Sequence, residues 1–382
     1  MPAFPPLTWV AIIAALVIGI LAGHFGWGRR WASRKSSLDP DYLAGLEYLV
    51  TEQPDRALDV FLRLMEADAD TVETHFSLGA LYRRRGEVER AIRIHQNLLA
   101  RETLAPEHRE QALLALAQDY LRAGLLDRAE ALFQRVSEVP RLRVSAWEAL
   151  RSIYERQAEW QQALDAYRHL ERIGAAPEPA VGAHYLCELS VQSQGRGDVA
   201  AARALLREAR RAASPFPRAA LLRASIAERD SDAALASRLM RGALAESPSL
   251  IQEVLPPLLR LEAPAHRDAL LAGLAAEAES AGLEAVRRLV YAALTVGLAD
   301  APPLRSLIQG VFSRDAVLRA VWAAGWEETD AGPAARAIAA LLAHAERYRC
   351  IECGFAARSF YWHCPACHSW DSFESYATVK LG

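Results

Sequence analysis

The sequence predicts an all-α chain: a superhelical solenoid of paired helices, preceded by a membrane-spanning helix and followed by a small metal-binding module. Three observations predict it. An alanine–aromatic pattern recurs at 34-residue intervals through the middle of the chain, a 21-residue stretch near the start carries no Asp, Glu, Lys or Arg, and four of the five cysteines form two Cys-x2-Cys pairs near the end. Composition sets the frame. At 382 residues the chain exceeds the ~100–200 residues of a usual single domain, so several modules or one repetitive architecture are required. With 52% hydrophobic and 24% charged residues and a net charge of −3, it is neither a disordered polyanion nor a strongly basic nucleic-acid binder. A mean hydropathy of +0.00 also excludes a multi-spanning membrane protein.

Residues 1–6 are a short N-terminal flank, expected on the periplasmic side. The uncharged stretch runs from Leu7 to Trp27. About 20 apolar residues at 1.5 Å rise cross a ~30 Å hydrocarbon core, so residues 7–27 are long enough to span. Trp9 and Trp27 stand near its two ends, where an aromatic belt places them. A cleaved signal peptide needs a positive n-region, yet nothing before Leu7 is charged except the amino terminus. Instead Arg29, Arg30, Arg34 and Lys35 follow within the basic juxtamembrane linker 28–40. By the positive-inside rule this predicts a single-pass anchor with the bulk of the chain in the cytoplasm.

From residue 41 to 248 one alignment organises the helices. Ala57-x3-Phe61, Ala91-x3-His95, Ala129-x3-Phe133 and Ala163-x3-Tyr167 superpose, each preceded nine residues earlier by Tyr48, Tyr82, Tyr120 or Tyr154. The tyrosines are 34, 38 and 34 residues apart, the longer interval reflecting four extra residues over Leu104–Glu107. Two weaker copies follow, Ala202-x3-Leu206 and Ala236-x3-Met240, with Pro215 and Pro248 behind them. A 34-residue unit holds two helices; the small alanine lets them approach and the aromatic fills the space between successive pairs. With Leu78-Gly79-x2-Tyr82 in the first helix, the stretch resembles the tetratricopeptide repeat (TPR) family. TPR arrays usually bind peptides or proteins. Turns such as Arg85-Gly86-Glu87, Ala123-Gly124-Leu125 and Gly195-Arg196-Gly197 fall between paired helices, which is the better reading of the Gly-x-Gly pair than a nucleotide loop. Cys187, among the apolar positions of a helix, reads as a buried inert thiol.

Over 249–344 the pattern stays helical while the register dissolves. Pro256-Pro257, Pro264 and Pro302-Pro303 interrupt it, and the apolar runs 270–274, 286–294 and 316–322 mark helices. Degenerate repeats or capping helices are expected there.

Residues 345–382 carry the most specific chemistry. Cys350-x2-Cys353 and Cys364-x2-Cys367, ten residues apart, each aim two thiolates from a tight turn, and two such turns complete a tetrahedral four-sulfur site. Zinc and iron both accept that cage. Disulfides are disfavoured in the cytosol, and a thioredoxin-type redox pair is one such motif, not two. Neighbouring His363 and His368 are alternative ligands. Tyr348, Phe355, Phe360, Tyr361, Trp362 and Trp370 are expected to supply the small core of a ~35-residue module that needs a metal to fold. Four basic and four acidic residues balance over this segment, a poor grip for nucleic acid. The Cys-x2-Cys-Gly-Phe and Cys-Pro-x-Cys pieces resemble rubredoxin and zinc-ribbon knuckles.

Anchor, TPR solenoid and rubredoxin-like module in that order resemble the lipopolysaccharide assembly protein B family of Gram-negative bacteria over essentially the full chain. The match is densest at Tyr348-Arg349-Cys350…Cys353-Gly354-Phe355…Phe360-Tyr361-Trp362-His363-Cys364-Pro365-Ala366-Cys367. The resemblance implies a non-catalytic adaptor in the inner membrane. It implies restraint of lipopolysaccharide synthesis by promoting FtsH-dependent proteolysis of the committing lipid A pathway deacetylase (LpxC). FtsH-type membrane AAA+ protease and deacetylase are the implied partners, with other inner-membrane lipopolysaccharide assembly proteins as further candidates; a homodimer is compatible. It also implies a metal module packed on the TPR array, with Cys350, Cys353, Cys364 and Cys367 as structural ligands. The rival reading is a membrane-tethered electron-transfer protein with a rubredoxin-type iron centre. A catalytic reading lacks support: there is no His-Glu-x-x-His and no Gly-x-Ser-x-Gly, and neither lysine follows a glycine.

Overall fold

A computed structural model describes residues 40–51, 53–67, 72–298, 301–314 and 346–375. The expected membrane span 7–27 and the apolar run 316–322 lie outside them. Among the described residues no helix is long and apolar enough to cross a membrane. The chain divides into two compact units, Met1–Ala146 and Trp147–Gly382.

The first unit contains α1 (Pro40–Val50), α2 (Pro54–Ala67), α3 (Val72–Arg84), α4 (Val88–Leu99), α5 (Pro106–Arg122) and α6 (Leu126–Ser137). Consecutive helices pair, and small residues at the contacts explain why, Gly79 predicted and Gly45 not. A Cβ added to Gly45 would lie 2.8 Å from the Phe61 ring, and one added to Gly79 would lie 2.5 Å from the His95 ring. The glycine of the Leu78-Gly79 signature is thus the room that the partner helix's ring occupies. His95 does more than fill space. Fully buried, its Nδ1 sits 2.5 Å from Asp119 Oδ2, and Asp119, equally buried, accepts from Arg83 at 2.6 Å. Of the four residues inserted before α5, Pro106 and Glu107 extend the helix, and only Leu104 and Ala105 lie in the loop.

The second unit comprises α7 (Arg143–Arg156), whose first residues precede the boundary, then α8 (Trp160–Arg172), α9 (Pro179–Gly195), α10 (Val199–Ala212), α11 (Pro217–Arg229), α12 (Ala233–Glu246), α13 (Ile251–Leu261), α14 (Pro264–Ala281), α15 (Leu283–Thr295) and α16 (Arg305–Arg314). The six repeat alanines, Ala57, Ala91, Ala129, Ala163, Ala202 and Ala236, expose no surface at all. Beyond α12 the prolines behave unequally. Pro264 opens α14 and Pro302 opens a 3-10 turn, as breakers should. Pro256 and Pro257 instead lie inside α13. They remove two amide donors from that helix, but Val254, Leu255, Leu258 and Leu259 around them are buried in one apolar cluster with Leu270, Leu274, Leu289 and Val290, and this burial outweighs the lost bonds.

The C-terminal module is a three-stranded antiparallel sheet in the order β2 (Ala356–Ala357), β1 (Tyr348–Cys350), β3 (Phe373–Ser375). Tyr348 faces Ala357 and Ser375 across the two ladders, and Cys350 faces Phe373.

Candidate metal centre

The two cysteine pairs sit on two turns built alike. In the first, the Gly354 amide donates to the Cys350 carbonyl and the Cys350 amide to the Phe355 carbonyl, each at 2.9 Å; in the second, His368 donates to Cys364 and Cys364 to Ser369 at the same distance. Each turn closes on a left-handed residue, Gly354 at φ 77° and His368 at φ 61°. The turns face each other so that all four Sγ atoms lie within 4.8 Å of one another. Cys350 and Cys367 are 3.6 Å apart, Cys353 and Cys364 3.7 Å. A tetrahedron with 2.3 Å metal–sulfur bonds has edges of about 3.8 Å, so the sulfurs fit a single ion of zinc or iron size.

The protonation of the thiols supports the same fit. Burial raises the Cys350 pKa, but the Ser372 hydroxyl and the amides of Cys353 and Glu352 outweigh it and bring the thiol down to about 6. The Ser369 hydroxyl lowers Cys367 likewise. Cys353 is lowered by the Phe355 amide, yet desolvation and three neighbouring sulfurs push it up to about 12. Hydroxyls and amides favour the first thiolates, while mutual repulsion opposes the last. A bound cation removes that opposition. Neither His363 nor His368 joins the sulfur cluster. His363 stacks on Trp370 with ring centroids 4.3 Å apart, and His368 takes the left-handed position of the second turn.

The expected aromatic core divides. Tyr348 and Phe373 are buried with Cys350, Ala357 and Cys364, and Phe360 packs on them. Phe355 and Tyr361 are exposed. Trp362 and Trp370 are half-buried and turn outward onto the helices of the same unit, because these helices offer polar partners that the module lacks.

That contact is a built interface. The Trp370 indole donates to Glu155 Oε1 of α7 at 3.0 Å, and the same oxygen accepts from the Tyr185 hydroxyl at 2.5 Å and from Arg151 at 2.8 Å. The ring also stacks on His184 of α9 at 4.5 Å and lies beneath the Arg218 guanidinium of α11 at 5.5 Å. His184 is held at both nitrogens: Arg218 donates to Nδ1 at 3.0 Å, and Nε2–H donates to Asp371 at 2.8 Å. Burial lowers its pKa against the raising effect of Asp371. The imidazole is therefore neutral, with its hydrogen on Nε2. At the other edge the Tyr348 hydroxyl donates to Glu253 of α13. Burial, with Glu253 beside it, raises the Tyr348 pKa. Glu155, His184, Arg218 and Glu253 carry no sequence motif. Glu155, His184 and Arg218 are buried polar residues on repeat helices, whereas Glu253 is an exposed residue of α13, beyond the repeats. Cys187, one turn beyond His184, is fully buried, and burial pushes its thiol up to about 12.

Paired helices with buried small residues, joined to a four-cysteine module docked on their surface, define a tetratricopeptide-repeat scaffold with a rubredoxin-type metal module. Comparison with known proteins agrees: the family described as rubredoxin metal binding domain matches residues 348–375, and the tetratricopeptide repeat matches 74–110 and 146–175. Lipopolysaccharide assembly protein B of Escherichia coli (strain K12) is 30% identical over 371 residues, covering 93% of this chain and 95% of its own length. The Haemophilus influenzae protein of the same name is 28% identical over 391 residues, covering 93% and 96%. The chain belongs to the lipopolysaccharide assembly protein B family. Among solved structures, MamA is similar at 20% identity over 44% of this chain and 93% of its own, with a TM-score of 0.34.

Proposed function

We propose that the chain is a non-catalytic adaptor of the inner membrane that regulates lipopolysaccharide biosynthesis. In this reading it promotes proteolysis of the committing lipid A pathway deacetylase by an FtsH-type membrane AAA+ protease. The observation that carries it is the 30% identity to Escherichia coli lipopolysaccharide assembly protein B, which runs through 93% of this chain rather than through the repeats alone. Residues 7–27 span the bilayer, the basic linker 28–40 keeps the remainder on the cytoplasmic side, and other inner-membrane lipopolysaccharide assembly proteins are further partners. Cys350, Cys353, Cys364 and Cys367 ligate one zinc or iron ion.

When bound, that ion neutralises the thiolates and joins the two turns. The protein's own residues do the rest: Trp370 and Asp371, three and four positions past Cys367, bring the second turn onto Glu155 and His184. Anchoring adaptor and protease in one bilayer raises their effective concentration, so a weak contact with the deacetylase suffices for delivery. The test is the deacetylase lifetime after translation is blocked. Deleting the chain is expected to lengthen it, and removal of residues 1–27 or Cys364→Ser to lengthen it partly or fully. An unchanged lifetime in the deletion strain sinks the reading.

A further inference from the structure

Away from the metal module, α10, α11 and α12 enclose a cavity of about 300 Å³ whose lining divides by chemistry. Ile226 forms a buried floor and Leu235 and Leu239 half-buried walls, while Arg203, Arg207 and Arg223 converge from α10 and α11. Arg203 is paired with Asp230. Arg207 and Arg223 have no ion-pair or hydrogen-bond partner among the described residues, and no acid is among the residues that line the cavity. Arg218, which meets the module, lies five residues before Arg223, about 140° around α11, so the cavity opens on another face of that helix.

Two unpaired guanidinium groups beside an apolar well leave positive charge uncompensated, and an anion with an adjacent apolar group neutralises it while filling the well. Guanidinium recognises carboxylate in a planar two-point fashion. We propose that this cavity is a peptide-binding site for an acidic–aliphatic segment of a partner protein: Arg207 and Arg223 grip the carboxylates of Asp or Glu, and a Leu or Ile side chain between them enters the well over Ile226. A volume of this size holds one or two aliphatic side chains, which favours a peptide over a long acyl chain. The proposal rests on the adaptor reading only in taking a protein as the occupant.

The test measures binding of fluorescent short peptides to the purified full chain in detergent. The peptides place Asp or Glu two residues apart around Leu or Ile, with lysine-for-acid counterparts, and phosphatidylglycerol vesicles form a separate arm. Acidic–aliphatic peptides are expected to bind and their lysine counterparts not. Arg207→Glu and Arg223→Glu are each expected to weaken binding at least tenfold, and the double variant to prefer the lysine peptides. Arg207 is exposed and unpartnered, so its variant keeps the fold, checked by circular dichroism. Failure of all acidic peptides, equal binding by Arg207→Glu, or binding of the vesicles alone overturns the proposal. The two readings fail separately: peptide binding can persist when the deacetylase lifetime ignores the protein, and a shortened lifetime can persist when no peptide binds.

Discussion

At the scale of single residues, the clearest strain lies in the turns between paired helices. Gly86, Gly124 and Gly197 take φ near +80° there, while Ala158 and Ser231 adopt φ 55° and 63° at the equivalent position. A residue with a Cβ costs about 1 kcal/mol in that region. Ala158→Gly and Ser231→Gly are each expected to stabilise the second unit by about 0.5–1 kcal/mol, read as a higher thermal midpoint, and Gly86→Ala to destabilise the first unit by about as much. Gly79→Ala is the sterner case. Its Cβ would meet a His95 ring that Asp119 holds in place. A loss of about 2 kcal/mol is expected from overpacking in chemical denaturation of the purified chain.

His184 brings a pH dependence with a definite sign. Its folded pKa is lowered by burial, so below the ordinary value of about 6.5 the unfolded chain binds the proton that the folded chain resists. Stability is full above that value and declines as pH falls through it. Thermal melts between about pH 7 and 5 are expected to show the decline, and His184→Gln to flatten it.

At the scale of elements, the module is where sequence and structure agree most closely and then part. Two Cys-x2-Cys turns have one workable geometry, so the sulfur cluster was legible from spacing alone. The repeat alanines were legible for the same reason: only a small residue permits the approach of paired helices. The roles of Trp362 and Trp370 were not, since composition identifies an aromatic as core-forming without saying whose core. Pro256-Pro257 misled likewise, because the packing that keeps α13 helical through them comes from α14 and α15, remote in sequence from the local rule. His95 hid its contact with Asp119 by standing where its neighbours have Phe and Tyr. With strands of two and three residues, the module has little to hold it without its ion. Removing metal with a chelator, or Cys364→Ser, is expected to leave most of the helical circular-dichroism signal and to shift tryptophan fluorescence to longer wavelength as Trp362 and Trp370 enter water. Trp370→Ala, with the cysteines intact, is expected to keep the metal and weaken docking by about 2 kcal/mol, read as protease sensitivity of the module. The colour of the purified protein separates the two metals: an iron four-thiolate centre absorbs in the visible, and zinc does not.

At the scale of the whole molecule, two features separated by more than 300 residues converge on one proposal: the uncharged stretch at residues 7–27 and the metal module at the end. If the anchor acts through effective concentration, a soluble chain lacking residues 1–27 is expected to regain activity when overproduced, as restored turnover of the deacetylase would show. A function of the anchor beyond tethering predicts no such rescue.

The bond from Trp370 to Glu155 crosses 215 positions of sequence. Read along the course of synthesis, it means that the helices carrying Glu155 and His184 leave the ribosome well before the residues that cover them. At ordinary elongation rates the interval is roughly 10–40 s. Throughout it the Glu155 carboxylate and the His184 imidazole await their last partners, so a chain cut short before residue 370 presents open polar seats on its own helices. The docked module is thereby the last part of the chain to complete these helices, and it closes over Glu155 and His184 only once residues 370 and 371 have been made.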